Sequence, residues 1–337
     1  MPQFKRRTFL SLGIPAILAA TTFGLVTCNR PQVSDNNTTA PVTTLEKVKV
    51  LLDWKAEPTY AGFYIAKEKG YFKQVGLDVE IVEGNGATTS TQVIGSTDTY
   101  LLGSCSGSAT AIARSKGIPV KSLAVFYPNI PTVLYSLGEN PILKPNDMIG
   151  KRIGLINGSI SVDEYRGVVA ANKIDRSKIK EVGVGFDVAP LLTKKVDGLM
   201  NYQELTPVEL RLQGHNIAVM KFADYGVRAY SLNLIASEKQ LGQKSKQIKL
   251  ATDAIVKGYT FLKEHPTEAA EIFSKVVPEK DKKYVSESIK VVRDLLGNNP
   301  VGEQTQKGWT DTIKTLDGLG LLTKKVTVDD VATQIIP

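Results

Sequence analysis

The sequence predicts an α/β fold of two lobes joined by two crossings, and three observations carry that expectation. Apolar runs of strand length alternate with helical stretches, the signature of parallel sheets. The alternation runs twice, once before Pro128 and again after Pro131, and ADYGVRAYSLNLIAS (223–237) then returns before the remainder turns helical. A chain of 337 residues is large for one core and comfortable for two.

In order, VKVLLDW (48–54) reads as the first strand and YAGFYIAKEKGYF (60–72) as the helix after it. LDVEIVEG (77–84) is a second strand, TTSTQVIGS (88–96) a short helix, TYLLGSC (99–105) a third strand, SATAIARSKG (108–117) its helix and KSLAVFYP (121–128) a fourth strand. The second series has strands at TVLYSL (132–137), RIGLING (152–158), IKEVGVGF (179–186), VDGLMNY (196–202) and NIAVMKF (216–222). Helices are expected near Ser161–Ala171, Val188–Thr193 and Val208–Gln213. Beyond Ser237, Ile248, Ala251, Ile255, Tyr259 and Leu262 recur at helical spacing until Pro266 ends that helix, and another follows through Ala269 and Ile272. Lobe 1 then holds residues 46–130 plus 230–337 and lobe 2 residues 131–229, with a hinge of two segments able to close around a ligand.

The start of the chain reads as an address. Residues 1–27 run charged, apolar and then small, as an export signal does. Arg6-Arg7-Thr8-Phe9-Leu10 resembles a twin-arginine signal, the alternative being a general secretory signal that carries two arginines. Leu25-Val26-Thr27-Cys28 is similar to a lipobox, with Cys28 as the lipid attachment site, although Thr27 stands where a smaller residue is usual. Residues 28–45 are then lipid attachment and tether; as a coil, the 16 residues from Asn29 to Thr44 reach roughly 20–24 Å. With Cys28 lipidated, Cys105 has no partner, so no disulfide framework is expected. The net charge is +8; setting aside Lys5, Arg6 and Arg7 leaves +5, spread without an arginine stripe, which argues against nucleic acid.

The stretch LDWKAEPTYAGFYIAKEKGYFKQVGLDVEI, residues 52–81, resembles the substrate-binding proteins of transporters for thiamine pyrimidine precursors, within a wider group that includes sulfonate and nitrate binding proteins. Asp53, Trp54, Gly62, Tyr64, Ala66, Gly70, Tyr71, Phe72 and Gly76 to Val79 fit the motif, and Asn201 to Gly214 and Asp224 to Val227 are similar to the pyrimidine-precursor branch. Ala56-Glu57 and Tyr60 depart from the usual residues of the turn. The resemblance implies a periplasmic-binding-protein type II fold, the venus-flytrap arrangement. It implies a monomeric lipoprotein that captures a small nitrogen heterocycle outside the cell and delivers it to an ABC transporter permease, with no cofactor and no bond made or broken. The cysteine cluster of the related fungal pyrimidine synthases is missing here.

Strand ends facing across a cleft offer Trp54, Glu57 and Tyr60, then Ser106-Gly107-Ser108, and Tyr127 at the first crossing; the opposite lobe offers Asn157, Tyr202 and Glu204, with Tyr225 at the second crossing. Rings stack on a flat ligand, and carboxylates accept hydrogen bonds from amino groups. Which of Gln203 and Glu204 matches the family's ligand-binding glutamate stays open, and Glu57 equally fits a solvated turn. Ser106–Ser108 and Asn157–Ser161 open helices and could hold an anion or merely cap. Three alternatives stand beside this reading: a sulfonate or nitrate ligand using Arg166 and Arg228, a flavin-like ligand, and a hydrolase using Cys105 of GSCSG with His215 or His265 as base. No spacing suits a metal.

Overall fold

A computed structural model describes residues 44–333; the export signal, Cys28 and most of the tether lie outside them. In chain order the first series is β1 (Glu46–Leu51), α1 (Ala61–Glu68), α2 (Tyr71–Gln74), β2 (Leu77–Val82), α3 (Ala87–Ser96), β3 (Leu102–Ser106), α4 (Gly107–Ser115) and β4 (Val120–Val125). The second is β5 (Thr132–Leu137), β6 (Arg152–Leu155), α5 (Ile160–Ala171), β7 (Lys180–Gly183), α6 (Ala189–Leu192), β8 (Leu199–Tyr202), α7 (Thr206–Leu212) and β9 (Ile217–Lys221). The chain then returns as β10 (Leu232–Ser237) and ends in α8 (Glu238–Glu264), α9 (Pro266–Val276), α10 (Lys282–Leu295), α11 (Gln306–Gly318) and α12 (Val328–Val331).

One sheet has the order β2-β1-β3-β10-β4, and the other lobe carries β8-β5-β9 beside the pair β6-β7. The sheets are mixed rather than parallel. β1 runs parallel to β2 and β3, but β10 is antiparallel to β3 and β4, and β5 is antiparallel to β8 and β9. The cause is the pair of crossings. β4 leaves the first sheet toward the second lobe and β10 comes back from it, so the two must run in opposite directions. The same holds for β5 entering and β9 leaving the second lobe. Strands whose carboxyl ends approach the junction therefore come from both lobes: β1 and β3 on one side, β6, β7 and β8 on the other.

The larger core lies under the first sheet. Phe63, Phe72, Phe126, Tyr259 and Phe273 are fully or almost fully buried there. Gly62 and Gly258 let α1 and α8 cross closely, since a Cβ on Gly258 would lie 2.0 Å from the Gly62 carbonyl oxygen. That approach sets the Tyr259 ring against Phe126 at 4.1 Å between centroids and 28° between planes, a direct stack. A second core, around Leu134, Met148, Tyr165, Val168, Met220 and Phe222, fills the other lobe. Among the described residues no helix is long and apolar enough to cross a bilayer.

Candidate functional site

The turn after β1 is pinned from behind. Gly86 N donates to the Asp53 carbonyl at 2.7 Å and Gly84 N to the Trp54 carbonyl at 3.2 Å. Gly84 is required for this contact, because a Cβ there would lie 2.1 Å from the Leu52 carbonyl oxygen. The Asp53 amide donates to Ser104 Oγ at 2.9 Å, and that hydroxyl donates back to Asp53 Oδ1. The Tyr60 hydroxyl lies near the Asp53 carboxyl, whose pKa is raised by burial in spite of the Ser104 and Tyr60 hydroxyls that favour its charged form.

Thr59 is where the lobes meet. Its hydroxyl donates to Glu204 Oε1 at 3.0 Å across the junction, and its carbonyl accepts from the Tyr259 hydroxyl at 2.8 Å. Glu204 follows β8 and is 0% exposed; its other carboxyl oxygen has no partner. Beside it the Tyr127 hydroxyl is buried and also unpartnered. Glu164, on the second turn of α5, and Thr132, at the start of β5, are neighbours: the Thr132 hydroxyl is near enough to favour the charged Glu164 carboxyl, yet neither Glu164 Oε2 nor Thr132 Oγ1 has a hydrogen-bond partner of ordinary geometry. Tyr202 lies within electrostatic reach of Glu164, Glu204 and Asp53, which ties the two acids into one cluster.

Burial sets the chemistry of this cluster. It pushes the Glu164 and Glu204 carboxyls up to about 7 from an ordinary 4.5, and raises Tyr60, Tyr127, Tyr202 and Tyr259 well above the usual phenol. No lysine or arginine contributes to any of these shifts. Four buried polar atoms without partners cost roughly 1–3 kcal/mol each, so the cluster is unfinished as it stands. A carboxyl near neutrality can donate from one oxygen and accept at the other, which matches the amino group and adjacent ring nitrogen of an aminoheterocycle.

Next to Asp53 on the same turn stands Trp54, 41% exposed, with Phe186, 78% exposed, beside it at 6.4 Å between centroids. Phe186 lies in the loop after β7, a strand the sequence ran on as far as Phe186 but which ends at Gly183.

The structure brings together Tyr60, Tyr127, Tyr202 and Glu204, sets Trp54 on the same turn as Asp53 with its ring against Phe186, and places the other candidates elsewhere. The Glu57 carboxylate is taken by Lys280 at 2.8 Å and by the Tyr284 hydroxyl at 3.3 Å, so it is a strut to α10. Ser106 caps α4 by accepting from Ala109 N, and Gly107 N donates to the Ser231 carbonyl at 2.8 Å. Ser108 is buried behind them. Asn157 is exposed beside Gly183, at the same end of its sheet as Phe186. The Tyr225 hydroxyl donates to the Leu143 carbonyl on the flank of lobe 2, and Gln203 is fixed through its backbone to Pro131.

Thr59, Thr132, Glu164 and Phe186 were not found from the sequence. Glu164 carries the one signal available beforehand, an acid on the otherwise buried face of an amphipathic helix. A cavity of about 550 Å³ does occur away from the junction, lined by Lys47, Lys49, Asp78, Glu80 and Lys244. Its charges are solvated or already paired, as in Lys49–Glu80 and Lys244–Glu46, and Gln240 Oε1 is the one buried lining atom without a partner, so it offers a ligand a single acceptor rather than a cluster. Among the described residues no three metal-ligating side chains gather.

Cys105 sits with its sulfur 3.0 Å from Thr110 Oγ1 and 3.4 Å from Asn233 Oδ1, fully buried, and burial raises its pKa far above that of a reactive thiol. Arg166 is paired with Asp163 at 3.3 Å, and Arg228 is exposed.

The sequence model of the family described as NMT1/THI5 like matches residues 57–269. The formylaminopyrimidine-binding protein of Halalkalibacterium halodurans is 28% identical over 334 residues, covering 96% of this chain and 99% of that one. The riboflavin-binding protein RibY of Chloroflexus aurantiacus is 26% identical, covering 96% of each. A 4-amino-5-hydroxymethyl-2-methylpyrimidine phosphate synthase of Legionella pneumophila is 25% identical, covering 69% of this chain and 74% of the relative. Among solved structures, the periplasmic aliphatic sulphonate binding protein SsuA of Escherichia coli superposes with a TM-score of 0.68 at 13% identity, covering 85% of this chain and 97% of that one, which shows the two-lobe binding-protein fold.

Proposed function

The chain belongs to the NMT1/THI5 like family, and on that premise we propose that it is a solute-binding protein whose lobes close on a small nitrogen heterocycle of the aminopyrimidine kind. The observation that carries this reading is the unfinished polar cluster at the junction: Glu204, Glu164, Tyr127 and Thr132 each hold a buried atom in want of a partner. A flat, uncharged ligand with donors and acceptors at its edge supplies partners to both lobes at once and so favours the closed form. The relative named for formylaminopyrimidine supports the choice of ring.

The same cluster disfavours sulfonate or nitrate. Such anions call for positive charge and several donors, whereas this site holds three acids and no cation. A flavin is the second reading, supported by the relative named for riboflavin. The synthase relative raises an enzymatic reading. We place the chain with the binders because the lone described cysteine is held in the fold by Thr110 and Asn233.

We also infer export and anchoring through a lipid on Cys28, with delivery of the ligand to an ABC permease. Cys28→Ala is expected to move the protein from the membrane fraction to the soluble one. A thermal-shift panel of formylaminopyrimidine, riboflavin, ethanesulfonate and nitrate tests the ligand. Stabilisation by formylaminopyrimidine is expected, and stabilisation by the two anions alone would remove the proposal.

A further inference from the structure

The ring pair at the rim differs from the stacked pair inside the larger core, and from Phe63 and Phe126, which lie as far apart at 6.5 Å but edge-on at 65°. Phe126 and Tyr259 lie 4.1 Å apart and nearly parallel, at the separation of two rings in direct stacking contact. Trp54 and Phe186 lie 6.4 Å apart, tilted by 34°. A planar ring seated between two others needs roughly 3.5 Å of carbon–carbon contact on each face, or about 7 Å between the outer rings. The rim pair is therefore a few tenths of an ångström and a modest rotation from the width of a slot for one ring.

Both walls are held from behind. Trp54 sits on the turn fixed by Gly84 and Gly86. Phe186 sits between Val184, whose amide donates to the Leu155 carbonyl at 3.0 Å, and Asp187, whose carboxylate accepts from Ala189 N at 2.6 Å. The walls come from opposite lobes, after β1 and after β7, so the slot exists in the closed form. Phe186 is the most exposed large apolar side chain among the described residues, and its contact with Trp54 covers little of it. Nothing in either core accounts for a phenylalanine there.

We propose that Phe186 is the second wall of the ligand site, sandwiching against Trp54 the aromatic ring whose polar edge reaches the acid cluster. This rests on the heterocycle reading above and narrows it: the ligand must present a flat ring with both faces free, which excludes saturated rings and bulky out-of-plane substituents. It also makes the loop 184–188 a determinant of specificity.

The test is calorimetric titration of the whole chain and its Phe186→Ala, Phe186→Leu and Phe186→Tyr variants with formylaminopyrimidine, riboflavin, benzenesulfonate and, as a control without a ring, ethanesulfonate. Quenching of indole fluorescence gives a second readout, because Trp309 is buried and Trp54 is at the rim. Phe186→Tyr is expected to stay within about twofold of the native Kd, since it keeps the ring. Phe186→Leu should raise Kd roughly 3- to 10-fold by losing the stack alone. Phe186→Ala should raise it further. Tight binding of a ring compound that is equal, within twofold, in all four proteins would overturn the role of Phe186 while leaving the heterocycle reading intact. Binding of ethanesulfonate in preference to every ring compound would overturn both. The substituted side chain is exposed, so these variants are expected to fold.

Discussion

Two buried polar clusters lie close together in this molecule and differ in one respect. Around Cys105, every group has a use: Asn233 Nδ2 donates to Thr110 Oγ1 at 3.2 Å and to Ser122 Oγ at 3.0 Å, while Cys105 lies between Thr110 and Asn233 Oδ1. At the junction, Glu164, Glu204, Tyr127 and Thr132 each keep an atom buried and unpaired. The first cluster is complete and stabilises the sheet through β3, β10 and β4. The second costs stability that a complete arrangement would not, which is the physical mark of groups arranged for something that comes and goes. Burial alone does not distinguish structure from site, nor does a single unpaired atom, since Gln240 Oε1, Thr252 Oγ1 and Ser288 Oγ are unpaired on α8 and α10; the junction differs in gathering two acids and two hydroxyls.

Substitution can break this contrast most sharply at its two centres. Glu204→Ala is expected to weaken binding of formylaminopyrimidine about 100-fold in calorimetry, with the fold kept. Asn233→Ala should do the reverse, lowering stability by about 2 kcal/mol in urea unfolding and leaving affinity unchanged. Equal effects of the two on affinity would dissolve the distinction.

The next effect is on pH. Glu164 and Glu204 have folded pKa values near 7 against an ordinary 4.5, so the folded chain holds their protons more tightly than the unfolded chain does. Their favourable contribution is fully present below pH 4.5 and is lost as pH rises through 7, at most about 3 kcal/mol for each. Unliganded protein should therefore lose stability between those limits, and Glu204→Gln should flatten roughly half of the loss. A flat native profile across this window would contradict the burial argument.

Smaller effects sharpen the comparison. Tyr127→Phe removes a hydroxyl that has no partner, so stability should be unchanged or higher by up to about 1 kcal/mol while affinity falls several-fold. Cys105→Ala should cost about 1 kcal/mol and leave affinity alone. If it abolished turnover of activated esters, the thiol would instead be a nucleophile.

Much of this was legible in the sequence because it depends on short-range pattern. The two passes of strand and helix could be read from local pattern, and the motif around Trp54 and the stretch holding Tyr202 from resemblance to a family, which left Gln203 and Glu204 undecided between them. What was missed depends on long-range pairing. The sheets are mixed because the crossings reverse the chain at β5 and β10, which no single strand records. Glu57 looked available until Lys280, more than 220 residues on, closed on it. Phe186 was hidden because an apolar residue continuing IKEVGVGF reads as strand, whereas β7 stops three residues before it. Glu164 was hidden because an acid on a helix reads as solvated, whereas α5 packs it inside its own lobe near Thr132 and Tyr202.

The central claim is that a ligand completes the acid cluster between the lobes. Carboxyl carbon NMR of Glu164 and Glu204, titrated with and without formylaminopyrimidine, measures it directly. Midpoints near 7 in the free protein that move by a unit or more on saturation are expected. Midpoints close to 4.5 that the ligand leaves in place would contradict the account.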